Sequence, residues 1–238
     1  MNALEIAAVA LQQDGERMKA IAHNVANLNT TGFKRQVMVQ ASFAEAMDAA
    51  QTAQAGLSVH TDLRPGKLKA TGNPLDLALG DGEYLVVQLA DRTLALTRDA
   101  SLKLDAAGRL VTAAGLPVQG SQGGDVTMAR SVREVRIDAT GGVLADDAPA
   151  GALQIVHVSE GSALKSLGGG LFALPNAGQW EAARTSAVRS GHLEASNVVA
   201  SQEMVNLMNT TRHAESLVRL IQGTDEMLEK AIRKFGEL

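Results

Sequence analysis

The chain has no cysteine, which excludes disulfides and thiolate metal sites and leaves the redox compartment unread. Aromatic residues are nearly as scarce. Phe33, Phe43, Tyr84, Phe172, Trp180 and Phe235 amount to 3% of the sequence, so a core has to be packed from Leu, Val, Ile and Ala, and sites that stack rings on side chains are not expected. No run approaches the ~18 consecutive apolar residues that span a bilayer, so direct membrane insertion is not expected. Met1-Asn2-Ala3-Leu4-Glu5 lacks a basic leader, and Gln12, Gln13 and Asp14 interrupt any apolar region behind it, so no cleavable secretory signal is expected either. The formal charge of −4 is spread over mixed signs. Without a basic stripe to neutralise phosphates, nucleic acid is not an expected partner.

Candidate chemistry is equally thin. His23, His60, His157, His192 and His213 are scattered without metal-ligand spacing. There is no Gly-x-Ser-x-Gly elbow, and Pro65-Gly66-Lys67-Leu68 lacks the hydroxyl that a phosphate-binding loop places after its lysine. Gly168-Gly169-Gly170 precedes no helix whose amides could meet an anion, and reads as a strand turn. Asp76, Asp81, Asp99 and Asp105 sit where turns use Asp. The expectation is a protein that is not an enzyme, with no metal, no cofactor and no small-molecule substrate.

What is present is a hydrophobic content of 45%, enough for a core, and apolar stripes of seven-residue period at both ends. Leu4, Leu11, Met18 and Val25 lie one heptad apart, with Ala7, Ile21 and Leu28 in the companion series and Asp14 as its break. Near the C-terminus Ala200, Leu207, Ala214, Ile221, Leu228 and Phe235 repeat the spacing, with Met204, Val218 and Ile232 beside them and Thr211 and Asp225 as polar exceptions. Residues seven apart on a helix line a narrow seam suited to a partner helix. A helix from about Asn197 to Phe235 would be roughly 60 Å long, longer than the ~35–40 Å diameter of a compact domain made from the middle of the chain.

That middle, from Leu57 to about Arg189, has the texture of β structure. Glu83–Leu89, Thr93–Thr97 and Leu153–Val158 read as strands, and Gly72-Asn73-Pro74, Asp81-Gly82, Gly123-Gly124 and Gly141-Gly142 read as turns. The expected class is therefore α+β: long N- and C-terminal helices pairing as a coiled coil, with a central antiparallel β-rich domain. The expected divisions are 1–36 for the N-terminal helix and its polar elbow, 37–56 for a connecting segment with a short helix, 57–190 for the β-rich domain, and 191–238 for the C-terminal helix. Whether the seam joins the two ends of one subunit, the ends of neighbours, or both is left open by the periodicity.

The elbow is Asn24-Val25-Ala26-Asn27-Leu28-Asn29-Thr30-Thr31-Gly32-Phe33-Lys34. Its amides can cap a helix end, or hold neighbouring subunits in register. The run resembles the N-terminal signature of the bacterial flagellar rod and hook proteins. Gly72-Asn73-Pro74-Leu75-Asp76, Gly80-Asp81-Gly82, Thr97-Arg98-Asp99 and Gly108-Arg109-Leu110-Val111-Thr112 resemble that family's central β segment, and Gly191-His192-Leu193-Glu194-Ala195-Ser196-Asn197-Val198, with Glu203-Met204-Val205 and Arg212, resembles its C-terminal signature. Glu83-Tyr84-Leu85 departs from the pair of aromatics common there, and His23 stands where the family often has another small polar residue or Asn.

The resemblance implies a structural subunit of the flagellar basal-body rod, of proximal or distal type, polymerising through its terminal helices into the axial drive shaft. It implies as partners further copies of the chain, other axial rod and hook subunits, and the flagellar type III export apparatus, and a location in the periplasm-spanning rod. A hook-type axial protein and a coiled-coil dimeric scaffold or cap of a secretion system are the alternatives. Assembly is expected to rest on Leu4, Leu11, Met18, Ile21, Asn24, Val25, Asn27, Asn29, Thr31, Gly32 and Phe33 at one end. At the other end it is expected to rest on Leu193, Glu194, Ser196, Asn197, Val198, Met204, Leu207, Ile221, Leu228 and Ile232. Phe43 and Met47 resemble a short export-recognition element, and fit equally well as one face of a short helix.

Overall fold

The computed structural model describes residues 3–40, 57–129, 132–158, 164–173, 180–183 and 186–236. Phe43, Met47 and the short helix expected around them lie outside the described residues. By contact the chain divides into two units, one of Met1–Ala26, Gln36–His60 and Val199–Leu238, the other of Asn27–Arg35 and Thr61–Val198.

Among the described residues the first unit holds the helices α1 (Ala3–Ala26) and α2 (Ala200–Gly236), the short strand β1 (Gln36–Gln40) and all but the last residue of β2 (Leu57–Thr61), which pairs with β1. Helix α2 has Glu203 in its first turn and Arg233 and Lys234 in its last, each charge opposing the partial charge of its helix end. Its 37 residues are unbroken and run ~55 Å at 1.5 Å per residue. Gly223 lies inside it and Gly15 inside α1; a lone glycine costs about 1 kcal/mol against Ala, too little to interrupt a helix.

The coiled coil expected between the chain ends is not formed. A coiled coil buries its seam as knobs in holes, yet Met204 is 59% exposed, Leu207 41%, Val218 40% and Ile232 70%. The line along which α2 meets α1 is mostly polar or small instead: Glu203, Thr210 and Ala214 are buried on α2, and Ala7, Asp14, Ala20 and Asn24, with Ile21, on α1. Asp14, which interrupts the apolar series in the sequence, is completely buried. The architecture is one long C-terminal helix, a shorter N-terminal helix, and otherwise mostly β structure.

The second unit contains the remaining strands: β3 (Leu68–Ala70), β4 (Leu77–Ala78), β5 (Glu83–Gln88), β6 (Leu94–Thr97), β7 (Leu102–Leu104), β8 (Leu110–Thr112), β9 (Val135–Ile137), β10 (Gly142–Ala145), β11 (Ala148–Ala152), β12 (Ile155–Val158), β13 (Ser166–Gly168), β14 (Leu171–Ala173), β15 (Trp180–Ala182), β16 (Arg189–Ser190) and β17 (His192–Glu194). A six-stranded sheet of order β13-β14-β6-β5-β12-β15 is its centre. A three-stranded sheet, β11-β10-β9, and the ribbons β16-β4, β17-β3 and β7-β8 complete it. The pairings within these sheets are antiparallel, with Val86 opposite Leu96 and Val156 opposite Tyr84.

Side chains alternate across a strand, and β5 uses both faces. Leu85 and Val87 join Ala95 and Ile155 in the larger core, while Tyr84 and Val86 join Leu96, Val156 and Phe172 in a smaller cluster on the opposite side. Glu83 is buried and matched: its Oε2 accepts from the Gly80 amide at 2.9 Å and from the Ser186 hydroxyl at 3.0 Å.

Candidate functional site

The two signature segments meet inside the second unit. Residues 27–35 enter as a turn in which the Thr30 hydroxyl donates to Asn27 Oδ1 at 3.1 Å. Gly32 follows at φ +65°, its amide donating to the Glu194 carbonyl at 2.8 Å. A β-carbon at Gly32 would stand 2.5 Å from the Arg98 carbonyl carbon, so only glycine allows the approach. Asn197 closes the joint with a fork: Oδ1 accepts from the Arg35 amide at 2.7 Å, and Nδ2 donates to the carbonyls of Asp62 at 2.8 Å and Arg64 at 3.0 Å.

Beneath the joint lies a buried charge cluster. Glu194 Oε1 accepts from Lys34 Nζ and from the Gly66 amide, both at 2.7 Å, and its Oε2 accepts from Arg98 Nε at 2.6 Å. The three side chains are between 0% and 3% exposed. Arg98 Nη1 also donates to the carbonyls of Gly80 and Glu83, at 3.0 and 2.8 Å. Lys34 Nζ reaches the Arg64 carbonyl at 2.8 Å. Burial raises the Glu194 carboxyl, but Arg98 and Lys34 together outweigh it and hold the group below the usual carboxylate value. Lys34 is pushed down by burial and by the Arg98 charge, which overcome the attraction of Glu194. One carboxylate therefore serves two cations, and the surplus positive charge falls on Lys34.

The first unit has its own polar contacts between helices. Asn24 brackets Gln36, donating to its carbonyl and accepting from its amide, both at 2.8 Å, and its Nδ2 also reaches Glu203 Oε2 at 3.3 Å. The Asp14 carboxylate, 0% exposed, has His213 Nδ1 of α2 and, at 3.5 Å, Arg17 Nη1 as partners.

The residues expected to carry assembly separate into three environments. Ile21, Asn24, Gly32, Phe33, Glu194 and Val198 are buried; Leu4, Leu11, Met18, Asn27, Thr31, Leu193, Ser196, Asn197 and Ile221 are half-buried. Val25, Asn29, Met204, Leu207 and Ile232 are exposed, and the side chain of Leu228 is outside the described set. The exposed members point to a surface. At 100° per residue, Met204, Leu207, Met208 and Val218 fall within a stripe about 100° wide on α2, and α1 exposes Ile6 and Val9.

Asp14, Lys34, Arg98, Glu203 and His213 are structural partners that sequence patterning passed over as sites. Glu194 and Lys34 are 160 positions apart, a separation that a pattern read along the chain does not register. Asp14 did carry a signal, since a charged residue in an otherwise apolar helical series needs a partner.

Comparison with known proteins finds three consecutive stretches. Residues 4–34 match the flagella basal body rod protein family, residues 79–145 the flagellar hook protein FlgE/F/G D1 domain, and residues 189–234 the flagellar basal body rod FlgEFG protein C-terminal family. Among curated relatives, flagellar basal-body rod protein FlgF of Salmonella typhimurium is 31% identical, over 94% of this chain and 94% of its own length. FlgF of Escherichia coli is 30% identical over 97% and 96%. FlgG of Buchnera aphidicola from Schizaphis graminum is 29% identical over 95% and 97%.

Proposed function

The chain belongs to the flagellar basal-body rod protein family and is a structural subunit of the rod; from that premise we propose that it polymerises through the exposed apolar faces of its two helices. The observation that carries this reading is the stripe on α2, where Met204, Leu207 and Met208 are 59%, 41% and 52% exposed. An isolated soluble protein rarely leaves so much contiguous apolar surface in water. Covering it with a neighbour's helix removes that cost, and a contact between unlike surfaces that does not close on itself generates a helical filament, the geometry of a shaft.

In this reading two amides have a supporting part. Asn24 and Asn197 fix the backbone from which each helix departs, so that copies present the same face. The chain works as a non-enzymatic building block beside other axial subunits in the periplasm-spanning rod, and reaches it through the flagellar export apparatus. Proximal and distal rod positions both fit.

The test replaces Leu207 and Met208 by Glu together. The doubly charged variant keeps the helical signal of the parent by circular dichroism, fails to form filaments in sedimentation and negative-stain images, and does not restore motility to cells lacking the parent gene. Normal filaments from that variant would sink the reading.

A further inference from the structure

One end of the six-stranded sheet opens into a cleft of about 420 Å³, within the size range of small-ligand sites. Leu63 and Val158 form apolar walls, Arg64, Asp81 and His157 stand at the exposed rim, and Tyr84 lies at the floor. Tyr84 is 1% exposed as a residue, and its hydroxyl, which is not sealed from solvent, bonds to no described residue. A phenol that opens onto a cleft is matched by water until a ligand takes that water's place. One that no described residue matches, at the bottom of a cleft, marks a place where a ligand can supply the partner. Burial pushes the phenol up to about 12, so it stays neutral and can both donate and accept. The carboxylate of Asp81 and the imidazole of His157 are likewise without hydrogen-bond or ion-pair partners among the described residues.

The neighbouring cations are already engaged. Arg64 Nε contacts both Asp62 oxygens, at 2.9 and 3.1 Å, and Nη2 contacts Oδ2 at 2.5 Å. Arg98 is committed to Glu194 and to the carbonyls of Gly80 and Glu83. An inorganic anion would thus meet matched guanidiniums and a repelling Asp81, and a metal ion would meet a single free carboxylate. A peptide that added itself as a strand would need an open edge, but β5 lies between β6 and β12, and β12 between β5 and β15. The unmatched groups are a hydroxyl, a carboxylate and an imidazole above apolar walls. They call for a neutral molecule with adjacent hydroxyls and C–H faces, which is the chemistry of a sugar ring.

We propose that this cleft binds a neutral saccharide, which Tyr84, Asp81 and His157 hold by hydrogen bonds and do not turn over. The contact adds a carbohydrate-binding surface to a subunit whose assembly faces are its helices. It stands independently of the polymerisation reading, because it is tested on the dissociated full-length chain. Amide chemical shifts of the labelled protein are followed during titration with cellobiose and with di-N-acetylchitobiose. At least one of the two gives saturable shifts at Gly82, Tyr84 and Val158 with a millimolar Kd. Tyr84→Phe, which removes one oxygen, and Asp81→Asn, a change at an exposed position, each weaken binding tenfold or more while thermal unfolding is unaltered. Three results would overturn the proposal: no saturable shift with either disaccharide, binding that survives both substitutions, or stronger perturbation of the same amides by inorganic phosphate or by the tripeptide Ala-Gln-Ala.

Discussion

Glu194 is the residue on which the joint between the signature segments turns, because two buried cations depend on one carboxylate. Removing its charge leaves Lys34 and Arg98 facing each other without compensation, and breaking a buried pair in that way costs about 3–5 kcal/mol. Lys34→Met removes the surplus cation and leaves Arg98 matched to Glu194, so it costs much less than Glu194→Gln. Thermal unfolding of the two variants at neutral pH checks the order; equal losses would place the cost in the hydrogen bonds rather than the charges. The pH dependence follows from the shifts. Glu194 is held below its ordinary value of 4.5 in the fold, so its contribution is fully present above that value and is lost as pH falls through the lower folded value. Lys34, lowered from 10.5, has the opposite proton balance to a stabilising lysine: stability increases as pH rises from its folded value towards 10.5. The melting temperature therefore falls in acid below about pH 4.5, and Glu194→Gln flattens that acid limb.

Among the helices, α2 depends little on burial for its stability, since most of its surface faces solvent. Intrinsic propensity then carries more of the balance than it does in a packed helix. A β-carbon at Gly223 would meet nothing within 4 Å, so Gly223→Ala stabilises the helix by about 1 kcal/mol. The gain is read as a higher melting temperature at 222 nm, and no change would mean that this part of α2 is already unfolded in the reference state of the measurement. At this scale the sequence pattern was informative and incomplete. The heptads of Leu207, Met204 and Val218 located a helix, and turn residues such as Asp81-Gly82 and Gly141-Gly142 delimited strands. Periodicity does not say what a helix face meets, however. The apolar stripe and the line buried against α1 run side by side along α2, and the polar line is the one inside. Asp14 with His213, and Asn24 with Glu203, give that contact hydrogen bonds that hydrophobic spacing cannot signal.

For the molecule as a whole, the joint makes residues 27–35 part of the same unit as residues 61–198, although the elbow is far from the β strands in sequence. Hydrogen exchange tests whether this unit opens cooperatively. Peptides covering 27–35 and 191–198 exchange as slowly as those of β5 and β12, and Glu194→Gln speeds the first two together. Rapid exchange of 27–35 in the parent protein would remove the elbow from the cooperative unit. The elbow, the central turns and the C-terminal signature were legible in the sequence because short-range chemistry writes them: glycine where φ is positive, Asn and Thr at a helix end, alternating apolar residues in strands. Together with the two terminal heptad patterns they suffice to place the chain in its family. Only the tertiary structure decided which side chains those segments share. Lys34, Arg98 and Glu194 meet across long stretches of chain, the unmatched Tyr84 hydroxyl is defined by what surrounds it, and α2 turns its apolar stripe away from α1. Each outcome depends on a match of charge or hydrogen bonding between distant residues, and a linear pattern holds the residues without holding the match.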